Sequence, residues 1–163
     1  RFVKDKGADK VYRRTLYTFL KRTSAPPEMS TFDAPSREEC RVRRERTNSP
    51  LQALLLMNDP QYFEAARFLA QRMMKEGGKT DAQKITFAFQ LTTTRKPTPK
   101  EIELLTTSLK DHLAEYKANP SAAKSLITIG ETPPDKAINT TELAAWTMVA
   151  NLILNLDEVI TKE

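Results

Sequence analysis

Apolar positions recur at helical spacing through most of the chain, and no segment alternates apolar and polar residues over more than about four positions. From Asp9 the pattern Val11, Tyr12, Leu16, Phe19, Leu20 predicts an amphipathic helix over 10–22, with Arg13, Arg14 and Lys21 elsewhere on the turn. Lys21 and Arg22 fall in its last turn, where cations suit the helix dipole. Pro26-Pro27 is expected to stop helical structure, so Ser24 to Pro35 reads as an extended loop with Phe32 as its apolar anchor. Ser36-x-x-Glu39 has the spacing of a capping box and predicts a short helical turn around 37–41.

The start signals after that are stronger. Ser49-Pro50-Leu51-Gln52 combines a hydroxyl cap, proline at the first helical position and glutamine at the third, and opens a helix carrying Leu51, Leu54, Leu55 and Met57. Asn58-Asp59-Pro60 ends it and starts a helix over 60–76 with Tyr62, Phe63, Ala66, Leu69, Ala70 and Met73 on one face, closed by Gly77-Gly78. Thr80-x-x-Gln83 opens a helix with Ile85, Ala88 and Phe89 inward, whose end blurs at Thr92-Thr93-Thr94. Thr98-Pro99-Lys100-Glu101 is the fullest signature in the chain and leads a stripe of Ile102, Leu105, Leu109, Leu113 and Tyr116. Asn119-Pro120 starts a shorter piece to about Ile127, and the segment from Gly130 to Lys136 is a loop. The last helix, from about Thr141 to Asn155, bears Leu143, Trp146, Val149, Ala150 and Ile153, and Asp157 to Ile160 continues or caps it. The expected architecture is all-α: an irregular array of about six or seven helices with two long loops, 23–48 and 128–140. Residues 1–8 read as a linker or disordered start and 9–163 as one helical domain; no repeat of fixed period is present.

Composition narrows the class without naming a function. With 163 residues, 39% hydrophobic and 29% charged, the chain suits a helical domain with much solvated surface. It has no run of 18 apolar residues, hence no membrane span, and it opens at Arg1 like a piece of a longer protein. Positive charge belongs to the N-terminal part: residues 1–50 hold 13 Lys and Arg against 7 Asp and Glu, a net of +6. Between Arg37 and Arg46 five arginines stand against three glutamates. Such asymmetry permits an anionic partner without requiring one.

Few residues carry candidate chemistry. One cysteine excludes an internal disulfide and a cysteine-rich metal cluster, and there is no Cys-x-x-Cys-His haem attachment motif. His112, the only histidine, borders the stripe of Leu109, Leu113 and Tyr116 and reads as a boundary or surface residue. Cys40 stands among Glu38, Glu39, Arg41, Arg43 and Arg44; neighbouring arginines favour a thiolate, but a half-buried inert thiol is the expectation. Asp33, Arg37, Cys40, Arg43, Arg44, Arg46 and Asn48 form the one dense polar cluster and the candidate binding or docking surface. Its guanidinium groups could pair with Asp33 and Glu38 to pin the loop, dock a partner protein, or bind an anion or glycan. Nucleic acid is not expected as a partner, because Tyr12, Tyr17 and Phe19 are spaced like helix core and no glycine-rich phosphate loop exists. Met57, Met73 and Met74 read as core filler and Trp146 as a core anchor, while Asn139-Thr140-Thr141 matches a glycosylation acceptor only as a short pattern. No cofactor or metal site is expected in this domain, and no catalytic residue can be named.

The long string from Tyr12 to Met73 closely resembles the C-terminal domain of unknown function of large secreted planctomycete proteins, the planctomycete-specific domain PSD1. RKPTPKEIELL (Arg95 to Leu105) and TELAAWTMVANLILNLDEVITKE (Thr141 to Glu163) are similar to it as well. The polar motif of the family is matched by Phe32, Asp33, Ala34, Pro35, Arg37, Cys40, Arg43, Arg44, Thr47, Asn48, Pro50 and Gln52; Leu20 and Ser49 depart from its tryptophan and threonine. Serine is an equal cap, whereas the lost tryptophan weakens any essential role for an aromatic there. The resemblance implies a parent exported to the periplasm or beyond, with sister domains on the same polypeptide as partners and a cytochrome-c-like haem domain elsewhere in it. It implies a non-catalytic accessory or docking module; the alternative is a domain that binds or processes an anionic polysaccharide, in a haem-linked oxidoreductase.

Overall fold

The structure is a computed structural model that describes residues 7–12, 17, 19, 21, 25–36, 38–40, 42–43 and 47–161. Its elements are helical throughout: α1 (Ala8–Val11), α2 (Pro27–Thr31), α3 (Pro50–Asn58), α4 (Pro60–Glu76), α5 (Asp81–Thr93), α6 (Pro99–Ala118), α7 (Pro120–Ile127), α8 (Thr140–Leu154) and α9 (Asp157–Ile160). Two compact units are present, residues 1–55 and residues 56–163.

In the second unit the capping chemistry works as the sequence implies. Asp59 accepts from the Gln61 amide at 2.8 Å and starts α4, and the Gly77 amide closes it on the Met73 carbonyl. Thr80 with Gln83, and Thr98 with Glu101, form complete capping boxes on α5 and α6. Asn119 accepts from the Ala122 amide at the start of α7; Asn139, read from the sequence only as part of a glycosylation pattern, is the cap of α8 and accepts from the amides of Thr141 and Glu142. Each such cap satisfies amides that the first turn leaves without intrahelical partners.

The core collects on α8. Leu143, Ala144, Ala145, Trp146, Val149, Ala150 and Ile153 are all buried, so α8 is apolar around its circumference, the mark of a helix enclosed by others. It packs against α4, α5, α6 and α7. Ala66 and Ala70 of α4, like Ala144, Ala145 and Ala150, are fully buried and keep inter-helix spacing short. Ile85 and Ala88 of α5, Leu109 and Tyr116 of α6, and Ala123 and Ile127 of α7 complete the cluster. Asn151 of α8 donates to the Met57 carbonyl at 3.2 Å, tying down the last turn of α3.

The first unit departs from several expectations. Most of the helix placed at 10–22 lies outside the described residues; of those described, Lys10 and Val11 belong to α1 and Tyr17 to a 3-10 turn. Tyr17 and Phe19 are 70% and 76% exposed, so Phe19 is not on an inward stripe. Pro26-Pro27 starts a helix rather than stopping one: Pro27 is the first residue of α2, where its fixed φ and missing amide cost nothing. The helical turn expected at 37–41 is not formed at Glu38–Cys40, where Ser36 Oγ accepts only from the Glu38 amide at 3.4 Å, a local serine turn. The rest of that turn, Arg37 and Arg41, lies outside the described residues. On α3 the apolar residues Leu51 and Leu54 are 59% exposed, while the polar Gln52 is 2% exposed.

Candidate functional site

The arginine-rich segment begins at the end of α2. The Ala34 amide donates to the Met29 carbonyl at 2.8 Å and the Asp33 amide to that of Ser30 at 3.4 Å, the bonding pattern of a Schellman C-cap. That motif places Asp33 in the left-handed region, φ 55°, where glycine is usual and aspartate is among the tolerated alternatives. Asp33 then reaches forward fourteen residues. Its Oδ2 accepts from the Thr47 amide at 2.8 Å and from the Thr47 hydroxyl at 2.7 Å.

Gln52 completes the clamp. Its Nε2 donates to the Thr47 hydroxyl at 3.0 Å and to the Thr31 carbonyl at 2.7 Å. Its Oε1 accepts from the Ser49 amide at 3.1 Å, and Ser49 Oγ accepts from the Gln52 amide at 3.4 Å, so the capping box of α3 forms as expected. One buried side chain therefore caps α3, holds the end of α2 and orients the residue that Asp33 grips. The described residues between Asp33 and Thr47 belong to no helix, and the two ends of the segment are tied together.

From Pro35 on, the described residues of that segment face solvent. Glu38, Glu39, Cys40, Val42 and Arg43 are exposed, and Val42 is completely so. Cys40 is a free, exposed thiol rather than the half-buried one expected; its charged neighbours offer no apolar cover. Asn48 is exposed just beyond the clamp. Arg37, Arg44 and Arg46 of the candidate cluster lie outside the described residues. Of the seven candidates, then, Asp33 belongs to the clamp, and Cys40, Arg43 and Asn48 are on the surface. Thr47 and Gln52 were absent from that set, although the serine-proline-x-glutamine spacing marked Gln52 as a cap and the family motif includes both.

Two further polar clusters stand in the second unit. Glu64 and Arg67 of α4 are 1% and 0% exposed and pair at 3.2 Å. Arg95, between α5 and α6, donates to Glu101 at 2.7 Å and to Glu158 of α9 at 2.6 Å, with its guanidinium 4.8 Å from the centre of the Phe89 ring. The Arg95 hydrogen bond and the Thr98 amide hold the Glu101 carboxyl down at about 2; Arg95 likewise lowers that of Glu158. His112 is a boundary residue as expected, 3.5 Å from Glu115 and stacked on Tyr116 with centroids 6.2 Å apart. The concave surface on α6 between Lys100 and His112 is shallow and lined by that helix alone.

Among the described residues no group of three or more His, Cys, Asp and Glu side chains is arranged to hold a metal ion. With one cysteine and one histidine 72 positions apart, the chain carries no Cys-x-x-Cys-His motif. No described helix is long and apolar enough to cross a membrane.

A family model, PSD1, described as a protein of unknown function (DUF1553), matches residues 1–109. The chain belongs to the PSD1 family. The matched span contains the loop clamp and both of the first two resembling stretches, Tyr12 to Met73 and Arg95 to Leu105. It ends within α6, so α8, around which the core of this PSD1 chain assembles, lies beyond it, as does Thr141 to Glu163. No curated protein and no solved structure matches the chain.

Proposed function

We propose that this PSD1 chain is a non-catalytic helical accessory module of a larger exported multidomain protein, and that it docks against sister domains through the loop closed by Asp33 and Thr47. The observation that carries this reading is the clamp: three side chains fix the loop ends while Arg43, Val42 and Cys40 stand in solvent. A guanidinium presented on a loop of restricted freedom loses less entropy when it meets a carboxylate, which favours docking. A reaction centre would instead need groups converging on a shared point. The planctomycete origin, the periplasmic or extracellular location and the cytochrome-c-like haem domain elsewhere in the parent belong to the same proposal and rest on the sequence resemblance.

The test is calorimetric titration of this chain with the separately expressed sister domains of its parent, at low and high salt. Arg43→Glu should weaken binding about tenfold or more, as expected for an interfacial charge reversal, and binding should weaken with added salt. Absence of binding, or equal affinity of the variant, overturns the proposal. Binding of a sulfated or uronic-acid glycan without binding to sister domains would favour the polysaccharide reading instead.

A further inference from the structure

We propose that Glu64 and Arg67 are a main-chain latch, and that the connection from Thr128 to Asn139 is a strap whose first half, Thr128 to Thr132, this latch holds shut, able to open while the helical core stays folded. The strap has little apolar hold of its own. Not one of residues 128–139 is buried, and among them only Ile138 packs against the core cluster. Its attachment is polar: Lys75 of α4 pairs with the Asp135 side chain at 2.5 Å, both partly exposed to solvent, and the remaining ties to α4 go through the strap's backbone. Glu64 Oε2 accepts from the Glu131 amide at 2.9 Å and Oε1 from the Thr132 amide at 2.7 Å. Arg67 Nη1 donates to the Ile127 carbonyl at 2.7 Å and Nη2 to that of Thr132 at 2.5 Å. One acidic and one basic side chain, a single helical turn apart, thus read two amides and two carbonyls of one short stretch.

Such a receptor is blind to strap side chains with one exception. Gly130 has φ +110°, and a Cβ there would lie 2.5 Å from Glu64 Oε2 and 2.6 Å from its carboxyl carbon. Both the backbone conformation and the space demand glycine. Elsewhere in the strap the latch reads no side chain; Asp135 pairs with Lys75, Ile138 packs on the core and Asn139 caps α8 independently of it. The ion pair itself is buried, so removing one member leaves an uncompensated charge and orphaned backbone groups rather than simply a missing contact. By contrast, α8 is held by apolar contacts with four helices and does not draw on the latch. Segments with few buried apolar contacts are those that open locally at less than the global cost.

Amide hydrogen exchange followed by NMR distinguishes this from a strap that unfolds only with the core. In Glu64→Gln and in Gly130→Ala, the amides of Glu131 and Thr132 should exchange at least about tenfold faster, while those from Leu143 to Ile153 stay within about twofold of the parent chain. Thr132→Ala and Pro133→Ala should leave the strap amides within about twofold, because the latch touches neither side chain's functional group. Equal acceleration in α8, unchanged exchange in the strap, or acceleration by Thr132→Ala would each overturn the proposal. Should Glu64→Gln fail to fold, Gly130→Ala still decides, since it strains the latch from the strap side and leaves both charges in place.

Discussion

Gln52→Met separates the polar role of Gln52 from its volume. Methionine keeps the length of the side chain and suits a helix about as well as glutamine, so neither a cavity nor propensity enters. What disappears is the set of three hydrogen bonds to the Thr31 carbonyl, the Thr47 hydroxyl and the Ser49 amide. A typical net contribution is about 0.5–1.5 kcal/mol per bond, and groups left unsatisfied cost more when buried. Thr31 and Ser49 are half-buried, so water can reach part of what is lost. The clamp should therefore weaken by about 2–3 kcal/mol, which corresponds to about 30- to 150-fold in its opening equilibrium. Exchange of the Thr47 amide, which donates to Asp33, reads that equilibrium directly. Its protection should fall by that factor, while amides of the second unit keep theirs. Unchanged protection at Thr47 would refute the view that Gln52 holds the loop closed.

Two other outcomes follow from the same geometry. Asp33→Ala removes both bonds to Thr47 and keeps a left-handed backbone that alanine disfavours, whereas Asp33→Gly removes the bonds and relieves the backbone. The alanine variant should be the less stable by about 1 kcal/mol in urea titrations followed by circular dichroism, and equal stabilities would remove the strain argument. The Arg95 cluster predicts an acid-side loss. Glu101 titrates at about 2 in the folded chain against an ordinary 4.5, so the unfolded chain binds more protons between those values. Stability from this group is complete above pH 4.5 and is lost as the pH falls through 2; Glu158, also lowered, adds in the same direction. Melting temperatures of the parent chain should fall across that window more steeply than those of Arg95→Met, and parallel profiles would show that Arg95 does not set the carboxyl titration.

The second half of the chain was legible because its signals are local. Asp59, Thr80, Thr98 and Asn119 cap helices by contacts within three residues, and the predicted inward positions of α4, α5 and α8 are buried except Tyr62, which is half-buried. The first unit was less so. A diproline can end one helix or begin another, and only the bonds that close α2 with Asp33 in the left-handed region decide between them. Likewise Leu51 and Leu54 read as the inward side of α3, yet the clamp turns Gln52 inward, and its polar partners then set which face of the helix is covered.

By itself, the sequence determined the helical class, the caps of α4 to α7 and most of the apolar faces of the second unit, and membership of a family without an established function. These depend on composition, on spacing within one or two turns, and on strings long enough to match. The tertiary structure alone decided that Asp33 meets Thr47 across fourteen residues and that Glu64 and Arg67 meet the backbone of Glu131 and Thr132 more than sixty residues away. A side chain that binds a distant main chain leaves no periodicity and selects no partner residue type. Gly130 is the lone trace it left in the sequence, and its meaning came only with the carboxylate beside it.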